Sequence, residues 1–264
     1  SSAHTGCVRD AMSTTPTHTQ EVDAHLQTIL EAKASLPPAE VRCIRLSEID
    51  SLSPEERKKS KVAHFVRHGH GLHNQRAAEA GHGCTCKEGN CPYSSEGILD
   101  AALVESGLQQ ARDLAPQTQS LKVQLMCVSP MRRALQTAAL GFPKEEKTVP
   151  WIAYEELREQ YGAHVCDKRR PVSEIKQDFP HIDFSLVPEN DELWTPERED
   201  KRSVGLRCRE FVRLLATRPE TEVGVVTHSA LLLTLFNTAV ITEDPFLLSW
   251  FATGEMRSVV LVFP

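Results

Sequence analysis

The run Val62-Ala63-His64-Phe65-Val66-Arg67-His68-Gly69 is an apolar stretch that ends on a guanidinium, an imidazole and a glycine. An arginine beside a histidine suits one task, in which the first holds an anion and the second attacks it. Gly69 has no side chain and lets a ligand come close to the backbone. Taken alone, the triplet also reads as a strand-ending turn with two solvated side chains, so other stretches must decide. Ser129-Pro130-Met131-Arg132-Arg133-Ala134-Leu135-Gln136-Thr137 sets two arginines in the first turn of a helix, where the helix dipole is already positive. An anion docked between them and the first N–H groups accounts for that placement; an exposed surface pair is the other reading. Gly224-Val225-Val226-Thr227-His228-Ser229 ends a second apolar run on an imidazole, which by itself reads as a core or capping histidine. Leu157-Arg158-Glu159-Gln160-Tyr161-Gly162 offers a carboxyl group among apolar and aromatic neighbours, either a solvated glutamate or a catalytic acid.

These groups need a scaffold that converges them. Val62, Phe65 and Val66 read as a buried strand, and residues 123–128, 222–227 and 258–263 read as further strands. Helical spacing runs through residues 132–140, 203–216 and 230–236. Strands alternating with helices predict an α/β fold with three layers, α/β/α, around a central, mostly parallel sheet covered on both faces. Ligands of such sheets bind at the carboxyl ends of the strands, so His68 and His228 would face one crevice. Residues 1–60 read as an N-terminal extension and residues 61–264 as the catalytic domain. The extension comprises a Ser/Thr-rich tail, an amphipathic helix over 21–34 ended by Pro37-Pro38, and a linker whose short exposed helix is capped by Ser53.

Composition narrows the classes. With 264 residues, 40% hydrophobic and 25% charged, the chain can bury a full core. A net charge of −6 and 6% aromatic residues argue against nucleic-acid binding, and no apolar stretch approaches the ~20 residues of a membrane span. Eight cysteines make no disulfide scaffold at this length. Cys43, Cys127, Cys166 and Cys208 read as reduced packing residues of an intracellular, cytoplasmic protein. The chain starts without Met and reads as truncated or processed; its first 20 residues are a disordered tail or the remnant of a transit peptide, which would place it in an organelle.

Together the motifs resemble those of the histidine phosphatase superfamily, the phosphoglycerate mutase-like proteins. Arg67-His68-Gly69 is followed by Asn74 at the family's spacing, and Ser129–Thr137 matches Ser-Pro-Leu-x-Arg-Ala-x-Gln-Thr with Met131 for Leu. That match selects Arg133 over Arg132. Asp100-Ala101-Ala102-Leu103, with Gly107, resembles a helix start in which Val104 replaces a capping Thr, and Thr227-His228-Ser229 matches the last signature. Gly162-Ala163-His164-Val165-Cys166-Asp167-Lys168-Arg169-Arg170, Phe179-Pro180-His181-Ile182-Asp183-Phe184-Ser185 and Leu193-Trp194-Thr195-Pro196 resemble a plant and fungal branch. The resemblance implies a phosphoglycerate mutase-like fold and a neutral His68 that takes the phosphoryl group on one ring nitrogen while the other donates to a backbone carbonyl. It implies that Arg67, Arg133, His228 and Asn74 grip the transferring group, and that Glu159 is the general acid and base. No metal or other cofactor is called for, because arginines supply the charge. Gly69, Ser229 and Arg169 complete the expected phosphate-binding set.

The mutases of this family carry Glu-Arg-x-Tyr-Gly near the acid, whereas here the run is Glu159-Gln160-Tyr161-Gly162, without the arginine and one residue shorter. A phosphomonoesterase is therefore expected, with a mutase-type phosphotransferase and a non-catalytic phospho-ligand module as alternatives. The expected partner is a small phosphorylated substrate; neither its identity nor the oligomeric state follows from the sequence. Lys168-Arg169-Arg170 adds charge for a second phosphate or a nucleotide, or is a solvated basic turn. His82, Cys84, Cys86 and Cys91 lie within ten residues in a Gly-rich insertion. They have the chemistry for tetrahedral Zn²⁺ but no established zinc spacing, and an exposed loop that oxidises is the competing reading. His70 and His73 are expected to line the pocket entrance.

Overall fold

The computed structural model describes residues 18–81, 83–84, 89–95, 97–142 and 149–264. His82 and Cys86 of the insertion lie outside the described residues, as does the N-terminal tail before residue 18. Seven strands form one sheet: β1 (Val41–Arg45), β2 (Ser60–Arg67), β3 (Leu125–Val128), β4 (Trp151–Ala153), β5 (Glu222–Thr227), β6 (Val240–Ile241) and β7 (Met256–Val262). Their order is β4-β3-β5-β2-β7-β1-β6. Only β7 among them runs antiparallel to its neighbours β1 and β2, so the sheet is mostly parallel as expected.

The helices are α1 (His18–Ala34), α2 (Pro54–Lys58), α3 (Leu72–Ala80), α4 (Glu105–Thr118), α5 (Arg132–Gly141), α6 (Val172–Asp178), α7 (Lys201–Thr217) and α8 (Ser229–Thr238). Alternation along the strands divides them between two layers. Phe65, Cys127 and Val225 enter one apolar cluster with Phe211 of α7 and Leu232 of α8. Val66, Met126, Val128 and Val226 enter the other with Leu114 of α4 and Leu135 of α5. A strand buried on both faces reads as a continuous apolar run, and this is why β2, β3 and β5 were recognisable. Ser53 caps α2 with a reciprocal Glu56 contact, whereas Val104 gives α4 no side-chain cap.

The stretch before residue 61 does more than lie against the domain. Val41-Arg42-Cys43-Ile44-Arg45 alternates buried and exposed positions and inserts as β1 between β7 and β6. β4 and β6, of three and two residues, are too short for a periodic signal. The four scattered cysteines are buried free thiols, and burial pushes those of Cys43 and Cys208 up to about 12, consistent with inert packing.

Candidate active site

Parallel pairing brings the ends of four strands to one edge. Arg67 at the end of β2 is in register with Thr227 at the end of β5, and Val226 with Val128 of β3. His68 and His228 thus follow adjacent strands; the His68 N–H donates to the Thr227 carbonyl at 2.9 Å, and the two imidazole centroids are 5.1 Å apart. Ser129 leaves β3 and leads to α5, which carries Arg133; β4 leads to the turn that carries Glu159.

His68 is 1% exposed. Its Nδ1 lies 2.7 Å from the Gly69 carbonyl, which can only accept, so the proton sits on Nδ1 and Nε2 keeps its lone pair. Burial, followed by Arg133, His228, His73 and Arg67, holds its pKa well below the ordinary imidazole value. The side chain is therefore a neutral imidazole of fixed tautomer. Burial likewise pulls Arg67 below the usual guanidinium range, yet it remains a cation. One Arg67 terminal N–H donates to the Phe251 carbonyl at 2.6 Å, while its Nε is buried with no hydrogen-bond partner among the described residues. An unpaired buried donor is costly, and an anion is the ligand that relieves it.

Arg133 is completely buried. It donates to the Cys166 carbonyl at 2.8 Å, to Asp167 Oδ1 at 2.7 Å and to His228 Nδ1 at 3.2 Å, which leaves two of its five N–H groups for a substrate. His228 accepts from Arg133 on Nδ1 and faces the Ser129 hydroxyl with Nε2 at 2.7 Å. Both ring nitrogens are thereby engaged. In this geometry His228 aligns Arg133 through Nδ1, and the ring proton sits on Nε2.

Glu159 shows a second, unforeseen task. Its carboxylate accepts from the N–H groups of Gln160, Ala230 and Leu231 at 3.0, 3.1 and 3.0 Å and from the Ser229 hydroxyl at 3.5 Å. It caps α8, whose first turn would otherwise present unpaired donors. The Asn74 Oδ1 accepts from the Gly71 N–H at 3.0 Å and closes the first turn of α3, leaving its amide as the donor.

Two expected phosphate ligands are elsewhere employed. Gly69 gives its N–H to Thr137 Oγ1 at 3.0 Å and its carbonyl to His68. The lack of a side chain serves backbone packing: a Cβ there would stand 2.4 Å from the Gly107 carbonyl oxygen of α4. Arg169 is 3% exposed, and its donors go to Glu155 and to the carbonyls of Arg170, Pro188, Glu189 and Asn190. Those contacts use all five N–H groups, so it is neither a substrate ligand nor part of a solvated turn. The Arg132 backbone N–H at the start of α5 is held by Asp100 Oδ1 at 2.8 Å, so the anion met there is the protein's own carboxylate.

Sequence reasoning missed Asp167, Arg198 and the depth of His73. Asp167 is buried between Arg133 and Arg198, at 2.7 and 2.8 Å. Burial alone would raise it, but Arg198, His164 and Arg133 outweigh burial and hold it well below the usual carboxylate range. His73, expected at the entrance, is buried with its ring centroid 5.3 Å from that of His68. Asp167 lies in the 162–170 stretch and His73 beside Asn74, while Arg198 falls in no motif, and nothing in their spacing marked a partner.

A mostly parallel sheet with a neutral imidazole, buried arginines and a carboxylate at its carboxyl edge defines the class as an α/β protein with a charged site at the strand ends. The chain belongs to the histidine phosphatase superfamily (branch 1), whose description fits residues 63–254. A phosphoglycerate mutase-like protein of Arabidopsis thaliana is 37% identical over 204 residues, which cover 65% of this chain and 72% of that one. Phosphoglycerate mutase-like protein 1 of the same plant is 31% identical, covering 76% and 81%. Among solved structures, phosphoglycerate mutase from Bacillus anthracis str. Sterne superposes with a TM-score of 0.49 at 16% identity, covering 80% of this chain and 94% of that one.

Proposed function

We propose that this chain is a metal-independent phosphomonoesterase that acts through a phosphohistidine on a small phosphorylated metabolite. The tautomer of His68 carries the reading: Nδ1–H is tied to the Gly69 carbonyl, and Nε2 is the free nucleophile. The Nε2 lone pair forms a bond to phosphorus while the bond to the leaving oxygen breaks and Glu159 gives that oxygen a proton. Glu159 then takes a proton from water, the hydroxyl oxygen attacks phosphorus, and the P–N bond returns its electrons to Nε2. For this the Oε2 of Glu159 exchanges its long contact to Ser229, 3.5 Å, for the substrate oxygen. Arg67 and Arg133 balance the charge on the transferring group, each such donor contributing about 3–4 kcal/mol to the barrier.

The absence of an arginine from Glu159-Gln160-Tyr161-Gly162 favours hydrolysis. A mutase is the second reading, favoured by the names of the Arabidopsis relatives. Trapping a ³²P-labelled enzyme by acid quench, alongside assays of phosphate release and of 3- to 2-phosphoglycerate conversion, separates the cases. A labelled His68 with phosphate release across sugar phosphates, nucleotides and aryl phosphates is expected. Isomerisation faster than release overturns the hydrolase, and an unlabelled, inactive protein overturns both enzymes.

A further inference from the structure

We infer that Cys84, Cys91 and His164 form a structural Zn²⁺ site that ties the Gly-rich insertion to the loop supporting Arg133. The Sγ atoms of Cys84 and Cys91 are 3.9 Å apart, too far for a disulfide and close to the about 3.8 Å edge of a tetrahedron with Zn–S bonds of ~2.3 Å. His164 Nε2 lies 3.0 Å from Cys84 Sγ, and the three ligand atoms all fall within 4.8 Å of one another. Cys84 reaches His164 across 80 positions of sequence, so this is a tertiary arrangement and not an accident of local spacing. Two thiolates and an imidazole are a donor set that selects zinc over the hard cations.

The surroundings fit a ligating histidine. Its other nitrogen, Nδ1, lies 3.6 Å from Asp167 Oδ2, the carboxylate–histidine pairing that fixes tautomer and ring orientation at zinc sites. A neighbouring group of His164, Cys166 and Asp167 is a poorer candidate, because Asp167 is already committed to Arg133 and Arg198. Cys91 also lines a cavity of ≈ 340 Å³ together with Gly89, Asn90 and Ala163. Binding releases two protons as the thiols become thiolates, and two thiolates neutralise the dication. The three described residues supply three of the ligands; His82 and Cys86 lie outside the described residues and are assigned no part.

The test is elemental analysis of the full chain purified without chelator, with Zn²⁺ supplied during expression. About one Zn²⁺ per chain is expected, falling to below about a tenth in Cys91→Ser and in His164→Ala. Replacing the ion with Co²⁺ gives a thiolate-to-metal charge-transfer band in the wild type, and Cys91→Ser, which no longer holds the metal, is expected to lose it. Should His164→Ala fail to fold, Cys91→Ser and the wild-type melting curve with and without a zinc chelator still decide: chelation lowers the wild-type Tm and leaves that of Cys91→Ser unchanged. A chain that holds no stoichiometric zinc, a zinc content that survives both substitutions, or a Cys84–Cys91 disulfide found by mass spectrometry overturns the site. Metal content is read without turnover, so this result stands apart from the phosphoenzyme experiment.

Discussion

In the proposed reaction His68 concentrates the chemistry because three features act on one ring: a carbonyl that fixes the proton, burial that keeps it neutral, and neighbouring cations that would hold an anion. His68→Ala is expected to lower kcat by at least about 10³-fold and to abolish the phosphoenzyme, measured by acid-quench labelling. Glu159→Gln is expected to slow turnover by about 10²–10⁴-fold for alkyl phosphates and far less for aryl phosphates, whose leaving groups need no proton. Equal loss on both substrates would mean that Glu159 acts only by capping α8. Asp167 is the carboxylate that joins Arg133 to Arg198. Asp167→Asn leaves the buried Arg133 and the partly exposed Arg198 without their counter-charge, a loss of about 3–5 kcal/mol of stability together with lower kcat/KM. Urea midpoints and steady-state kinetics on the same preparation check both effects.

At the scale of elements, the loop of residues 68–71 is held where backbones touch. A Cβ on Gly107 would lie 2.0 Å from the His70 carbonyl oxygen, so α4 can approach the catalytic loop only through glycine. Gly107→Ala is expected to push α4 away, shift His68 and cost about 10²-fold in kcat, because displacements of about 1 Å are enough to lose alignment. Unchanged kinetics would show that the loop tolerates a move of α4. Arg169 works at this scale too. Its five donors bind the 188–190 segment to Glu155, so Arg169→Ala is expected to lower Tm while substrate preference across a phosphate-ester panel stays the same.

For the whole molecule, burial at the sheet edge couples stability to pH. His68, His73 and His228 are each held well below the ordinary imidazole value, with burial the largest cause. Below pH ~6.5 the unfolded chain binds protons that the native histidines refuse, so stability falls on acidification by up to about 1.4 kcal/mol per pH unit for each. Asp167, depressed in the folded state, adds a second loss only below about pH 4, as pH falls toward its native value. Tm is therefore expected to drop between pH 7 and 5, with the acid limb of kcat/KM below 6.5. A Tm that is flat over this range would mean that the native histidines take up protons as readily as those of the unfolded chain.

The sequence by itself determined the order of strands and helices around residues 62–67, 125–128 and 222–227, and it marked His68, Arg67, Arg133 and Glu159. Runs of apolar residues ending on polar ones leave a local trace, and the strand that buries them also fixes which end they occupy. β4 and β6 left no such trace, and β1 passed as linker because a five-residue alternation is weak on its own. Tertiary structure alone decided how each group is used: His228 against Arg133, Glu159 on the α8 N-terminus, Asp167 between two arginines, and His164 beside Cys84. These are contacts between residues far apart in the chain, set by strand order and close backbone approach, and neither propensity nor periodicity encodes which distant partner a polar side chain will meet.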